Sequence, residues 1–519
     1  MPLLKMYGLN ARALVTCTLL ACLWANPSWA QGELSFTRND ISLGTFIGPR
    51  QSATGDFNGD NQVDLAIGTA AGATSPPMVL ILLGTGDGDF QAATSVLIGQ
   101  EPSSIAVADF NGDGRQDLAT ASFLGNVSIV LGNGDGTFQA PLHINTSAAP
   151  LSAAAGDFND DDATDLAVSI FFPDGQSHVR IYLGNGDGTF SQGQEIVGGT
   201  PRAITLGDFN GDGQQDVAAI NFVYQHNSIV VMLGRGDGTF EPPGQAFAVG
   251  PEAIELTVGD FDADGRQDVA TADPNTDLVS VLLGNGDGTF DAVQHFPPGV
   301  PPDTGPGALV QPVSIKVGDF NGDGHQDLVT GNRRPSDEPP IDSGVSILLG
   351  RGDGTFEPAE EFATARGTAT VTVADFNNDG RPDLATANHE TSTVTVLIND
   401  SSAETAVQID IKPADARNRI NPRSNASIRV AVLSRSDFDA TEVDPATVRF
   451  GRTGTEAAPV HFALKDVDRD GNTDIVLLFK IRHTGIACRD TSASLSGKTF
   501  SGRTIRGSDF IQTVGCRKH

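Results

Sequence analysis

A nine-residue acidic pattern, DFNGDNQVD, starts at Asp56 and recurs from Asp109, Asp157, Asp208, Asp260, Asp319 and Asp375. Its first, third, fifth and ninth positions carry oxygen-bearing side chains. They are Asp56, Asn58, Asp60 and Asp64; Asp109, Asn111, Asp113 and Asp117; Asp157, Asn159, Asp161 and Asp165; Asp208, Asn210, Asp212 and Asp216; Asp260, Asp262, Asp264 and Asp268; Asp319, Asn321, Asp323 and Asp327; and Asp375, Asn377, Asp379 and Asp383. Carboxylates this close repel one another unless a hard cation lies between them, and an oxygen-only ligand set suits Ca2+. Position seven has no preferred side chain (Gln62, Arg115, Ala163, Gln214, Arg266, His325, Arg381), so a backbone carbonyl is what it offers a metal. Position six is Gly in five copies and Asn61 or Asp162 in the others, residues that tolerate a left-handed backbone. An EF-hand is excluded: its twelfth residue is a bidentate Glu, whereas here that place holds Ile67, Thr120, Val168, Ala219, Thr271, Thr330 or Thr386. The competing reading is an acidic turn that only tightens a hairpin through Asx bonds.

Such loops need elements to hold them, and the surrounding pattern supplies them. Loop starts lie 53, 48, 51, 52, 59 and 56 residues apart, a period that signals a propeller or a solenoid. In each unit an apolar strand (104–108, 203–207) enters the loop and a second (117–122, 216–220) leaves it. A third strand ends in a glycine turn, as in VSIVLGNGDGTF from Val127 and VSILLGRGDGTF from Val345, and a weaker fourth follows. Four antiparallel strands per repeat make a propeller blade. The Phe at position two and the Leu or Val at position ten are expected to pack between blades. The seventh unit has a third strand over 394–398, but then Asn399-Asp400-Ser401-Ser402 replaces the glycine turn and no fourth strand follows. At the other end, GELSFTRNDISLG (32–44) reads as that missing piece, with Phe36 in the place of the turn Phe. The fold class is therefore all-β: a seven-bladed β-propeller over 31–402, closed by an N-terminal strand so that no open edge remains.

From residue 403 the repeat stops. The runs VQIDIKP, IRVAVL and DIVLLF predict a small β-sandwich-like C-terminal domain over 403–519. It carries an eighth loop, with Asp466, Asp468, Asp470, Asn472 and Asp474 in the same places. Residues 1–30 read as a secretory signal: Lys5 and Arg12, an apolar stretch over 14–24, and a small-x-small site ending at Ala30. A lipoprotein box at Leu19-Leu20-Ala21-Cys22 is the alternative. After cleavage at Ala30 only Cys488 and Cys516 remain, and two cysteines in an exported domain predict a disulfide, with free thiols as the alternative. Gly 60, Pro 29 and only 19% charged residues agree with a turn-rich β protein, and a net charge of −32 argues against nucleic acid and anionic membranes as partners.

These residues resemble the FG-GAP/VCBS repeat family, found in integrin α-subunit propellers and in many exported bacterial proteins. The resemblance rests on DxNxDGxxD plus LGxGDGTF over about residues 32–400. It implies about seven Ca2+ between first and second strands on one face, with partners bound on the opposite face. The C-terminal region looks like a module that accompanies such repeats. Arg235-Gly236-Asp237 and Arg351-Gly352-Asp353 spell an adhesion tripeptide but occupy the glycine turn, where other units have Asn133, Asn185 or Asn285, so they read as turn residues.

Among function classes, catalysis finds no GxSxG elbow and no HExxH pair, and the acidic residues are committed to the loops. An extracellular polysaccharide-acting enzyme is the weakest reading. Carbohydrate binding is the alternative, yet both tryptophans leave with the signal and most Phe read as core. An exported scaffold that binds another protein is the reading preferred. The long connections at 70–78, 171–178, 222–227, 296–312 and 332–344 nominate Phe172, Tyr224, His226, Arg333 and Arg334 as a partner surface.

Overall fold

The computed structural model of the protein describes residues 34–516, except 45–47, 71–75, 173–174, 176, 198–199, 223–226, 300–309, 334–342, 402–403, 414, 416, 436–437, 453, 455 and 501–503. The segment read as a signal lies outside the described residues, as do Tyr224, His226 and Arg334. Among the described residues no helix is long and apolar enough to cross a membrane, which says nothing about strands. The only helical pieces there are two three-residue 3-10 turns, Ala440–Glu442 and Ile481–His483.

The repeat region folds into four-stranded antiparallel sheets, all but the last a meander in chain order. The first contains Pro49–Gly55, Asp64–Thr69, Met78–Leu82 and Thr94–Leu97. Five more follow over residues 102–145, 149–197, 201–248, 255–296 and 311–363. The last contains Thr368–Ala374, Asp383–Asn388 and Thr393–Asn399, and its fourth strand is Phe36–Ser42 from the other end of the chain. That strand runs antiparallel to Thr393–Asn399, with Phe36 opposite Asn399 and Ser42 opposite Thr393. Phe36 holds the register of the turn Phe elsewhere, since Gly84 pairs with Phe90 and Gly132 with Phe138.

Second and third strands are buried almost throughout, as Asp117–Ser122 and Asn126–Val130 show, because neighbouring sheets cover both of their faces. Each apolar cluster of this region joins two consecutive sheets. Leu65, Ile67, Leu80 and Leu82 of the first pack with Phe376, Val394 and Val396 of the last. The first strands pack side by side from sheet to sheet, and Pro49–Gly55 lies against both Pro102–Ala108 and Thr368–Ala374, so the circuit returns to its start. Pro49, Pro102, Pro150, Pro201 and Pro312 each sit beside a register shift in the first strand, an edge position where a missing N–H costs no ladder bond.

The C-terminal region builds two further four-stranded sheets. One contains Glu404–Ala406, Val443–Gly451, Ser492–Thr499 and Thr504–Phe510, and the other Ile409–Ile411, Ser427–Val432, His461–Lys465 and Asp474–Lys480. Val430, Leu477 and Phe479 from the second share one buried core with Phe450, Leu495 and Ile505 from the first. Cys488 and Cys516 are disulfide-bonded.

Candidate metal centres

Every acidic loop leaves the end of a first strand and delivers its ninth residue as the start of the second. Its conformation is held from inside by the first carboxylate. In the first loop Asp56 Oδ1 accepts the N–H of Gly59 at 2.7 Å and of Asp60 at 3.2 Å, while Oδ2 accepts the N–H of Asn61 at 2.9 Å. The bond from position six recurs in all seven loops at 2.7–3.0 Å. Position six has positive φ, including Asn61 at 61° and Asp162 at 65°, as the residue types predict. Position four does too, and there Asp160, Ala263 and Asn378 accept the same strain, which the sequence reading did not anticipate.

The ninth residue has a task that spacing alone did not disclose. It is fully buried in every loop. Its Oδ2 accepts the N–H of the Phe at position two at 2.7–2.9 Å. Its Oδ1 accepts, at 2.7 Å, the N–H of the residue that opens the turn after the third strand, from Gly84 in the first sheet to Gly350 in the sixth. One carboxylate thus ties loop, strand and turn together. Burial, with a smaller push from the carboxylates at positions one and five, or one and three at Asp268, raises these groups. Asp64, Asp216 and Asp383 are pushed up to about 6 and Asp327 to about 7, even against the pull of the two N–H donors.

In six loops the Asn at position three donates Nδ2–H to the carboxylate at position five at 2.9–3.1 Å, and its Oδ1 accepts that residue's N–H at 3.0–3.2 Å. The fifth loop has Asp262 instead, which has no N–H to donate. Its Oδ1 is buried without a hydrogen-bond partner, and carboxylate oxygens of Asp260, Asp262 and Asp268 lie within 4.8 Å of one another. Burial and then Asp264 and Asp260 push Asp262 up. An orphaned buried oxygen among like charges fits a hard cation, and the oxygen-only set fits Ca2+ best. The eighth loop groups Asp466, Asp468 and Asp470 in the same way. Position seven is less neutral than its variability suggested. Arg381 Nη2 lies 2.5 Å from Asp379 Oδ2, Arg115 Nη1 3.5 Å from Asp113 Oδ2, and Arg266 pairs with Asp264, so three loops carry their own cation.

The other end of the second strand lies about 20 Å away by strand rise. Six residues after the ninth loop position stand Phe123, Phe171 and Phe222 in the second, third and fourth sheets. Phe123 is 58% exposed, its neighbour Leu124 73%, and Phe171 39%, while Phe222 is half-buried beneath Arg202. Reading most Phe as core missed this arc; aligning the units at that offset would have found it. The nominated Phe172 is half-buried instead, stacked on His178 and under Arg180. Arg333 is exposed and occupies the equivalent offset in the sixth sheet, where it and Arg50 depress His389, whose own burial is the larger cause. Phe172 and Arg333 belong to the third and sixth sheets, so they do not form one cluster. The two RGD copies are spent inside their turns. Asp237 and Asp353 each accept a Thr hydroxyl at 2.5 Å, and Arg235 and Arg351 pair with Glu241 and Glu357.

A family model described as an FG-GAP-like repeat matches residues 56–120, 109–168, 164–219, 208–271, 260–330 and 319–386. Each match runs from one acidic loop, or just inside it, to the strand beyond the next. No curated protein matches the chain in sequence. Among solved structures, BBS1N in complex with ARL6DN, soaked with mercury, is 13% identical with a TM-score of 0.47, covering 72% of this chain and 99% of that one. The same complex soaked with lead gives 13% and 0.45, with coverage of 70% and 96%. Because loop, strand and glycine turn recur together over more than half of the chain, the protein belongs to the FG-GAP-like repeat family.

Proposed function

We propose that this protein is an exported, calcium-stabilised seven-bladed propeller, closed by its N-terminal strand and followed by a β-sandwich-like domain, which serves as a scaffold for another protein. Positions one, three and five of each loop, the carbonyl of position seven and the ninth carboxylate would hold Ca2+. The ion would supply the positive charge that these buried and crowded carboxylates lack. The Cys488–Cys516 disulfide is in keeping with an oxidising compartment.

The observation that carries the binding role is the arc of Phe123, Leu124, Phe171 and Phe222 at the ends of three consecutive sheets away from the acidic loops. Aromatic side chains that recur at one offset past the second strands, with Phe123, Leu124 and Phe171 exposed, fit an apolar patch on a partner protein. Arg333, exposed at the same offset of the sixth sheet, favours an acidic group at that partner's rim. The test is capture from the native secretome with immobilised protein, comparing wild type with Phe123→Ser/Phe171→Ser and with Arg333→Ala. Loss of one partner with unchanged melting temperature and metal content supports the reading. Release by a simple sugar would make the protein a lectin, and capture indifferent to both variants would remove this face from consideration.

A further inference from the structure

Each acidic loop is gripped by the sheet that follows it. The third glycine of the next sheet's turn donates its N–H to the carbonyl of the Phe at loop position two: Gly136 to Phe57 at 2.9 Å, Gly188 to Phe110 at 3.0 Å, Gly238 to Phe158 at 2.8 Å, Gly288 to Phe209 at 2.9 Å and Gly354 to Phe261 at 3.0 Å. Gly88 of the first sheet reaches Phe376 of the last at 3.1 Å, so the chain of contacts is circular. At the seam, where no glycine turn exists, the side-chain amide of Asn399 donates to the carbonyl of Phe320 at 2.9 Å in its stead.

A second contact comes from loop position eight. Gln116 Oε1 accepts the N–H of Asp56 at 2.8 Å, and Gln326 Oε1 accepts the N–H of Asp260 at the same distance. Thr164 Oγ1 donates to the carbonyl of Asp109 at 2.8 Å. The residue just before six of the seven loops is matched to this reach. A Cβ on Gly55, Gly156, Gly207 or Gly259 would collide with Gln116, Gln215, Gln267 or Gln326 of the following loop. Where that residue is Ala108, the following loop brings the shorter Thr164, and where it is Ala374, the first loop brings Val63. The backbone of each loop's second residue, and in three loops of its first as well, is thus placed by a neighbour whose own position depends on its ninth carboxylate.

We infer that the seven loops load Ca2+ as a coupled ring rather than as independent sites, with Gln116 and Gln326 as positioning residues for Asp56 and Asp260. This rests on the calcium reading above. Ordering one loop fixes its turn and its position-eight side chain, which pre-order the preceding loop, and the linkage is reciprocal.

Calcium-depleted full-length protein titrated with Ca2+ alone, with bound metal counted by equilibrium dialysis, tests it. Wild type is expected to saturate with a Hill coefficient above one. Gln116→Ala/Gln326→Ala should bind the same total of metal with a Hill coefficient closer to one and a midpoint weakened by about fivefold. Gly55→Ala should mimic Gln116→Ala from the other side of the contact, and Gly55→Ala/Gln116→Thr, which copies the Ala108–Thr164 pair, should restore wild-type binding. A purely structural role would lower stability at saturating calcium without changing the steepness of binding. Full stoichiometry with a hyperbolic wild-type curve overturns the coupling and leaves the calcium reading intact. No bound calcium in the wild type overturns both.

Discussion

The loop from Asp466 to Asp474 and the seven loops of the repeat make the same internal bonds on different frameworks. Asp474 Oδ2 accepts the N–H of Val467 at 2.9 Å, as Asp64 does for Phe57, and the N–H of Asn472 meets Asp470 at 2.8 Å, as that of Gln62 meets Asp60. Positive φ recurs at Arg469 and Gly471, the counterparts of positions four and six. The surroundings differ. Asp474 Oδ1 holds Ser434 rather than a turn glycine, and the strand that enters the loop, His461–Lys465, is exposed at every residue. Nine residues therefore suffice to shape the loop, while its neighbours decide whether it acts alone or in a set. The seam makes the same point within the repeat. Asn399 donates its N–H to Asp383 at 2.7 Å and its side-chain amide to Phe320, doing the work of two glycines in a turn that is absent.

The largest effect should come from breaking the circle. Deleting residues 34–44 removes the partner of Thr393–Asn399 and opens a sheet edge. Size-exclusion chromatography should show aggregation and dialysis the loss of most repeat calcium sites, while the eighth site persists. A truncated protein with full stoichiometry would mean that the loops need no ring.

Next come the ninth carboxylates. Asp327→Ala leaves the buried N–H groups of Phe320 and Gly350 without acceptors, at a cost of about 2–5 kcal/mol. Asp474→Ala strips Val467 and Ser434 in the same way. Scanning calorimetry should assign the two losses to different transitions, and a shared transition would show that the C-terminal region is not energetically separate. Replacing Cys488 and Cys516 by Ser should lower only the C-terminal transition, by about 3–4 kcal/mol in the chain-entropy model.

The pH response sharpens the contrast further. Ninth-position carboxyls raised to about 6 or 7 stabilise the calcium-free repeat fully below their unfolded value near 4, and that contribution is lost as pH rises through 6 to 7. Melting of calcium-free protein should therefore fall between pH 4 and 7, and added calcium should reverse the trend by favouring the ionised loops. A calcium-free melting temperature that rises over that window would contradict the burial argument. The smallest effect is expected from Arg115→Gln, which removes an exposed guanidinium from Asp113 and should tighten calcium binding by less than about fivefold.

Much of this protein is legible in its sequence because its chemistry is local and repeated. Strand 117–122, the left-handed sixth position and the buried Phe57 follow from a pattern whose geometry closes within nine residues. The completion of the last sheet was readable because Phe36 keeps a register seen in the intact units. What the chain order could not disclose are contacts between units. The match of Gln116 to Gly55, the second duty of Asn399 and the division of Phe side chains into buried Phe57 and exposed Phe123 depend on which sheet stands beside which. A residue type sets what a group can do within its own turn, whereas burial and the partner across a sheet boundary are properties of the closed circuit. Only tertiary structure decided those.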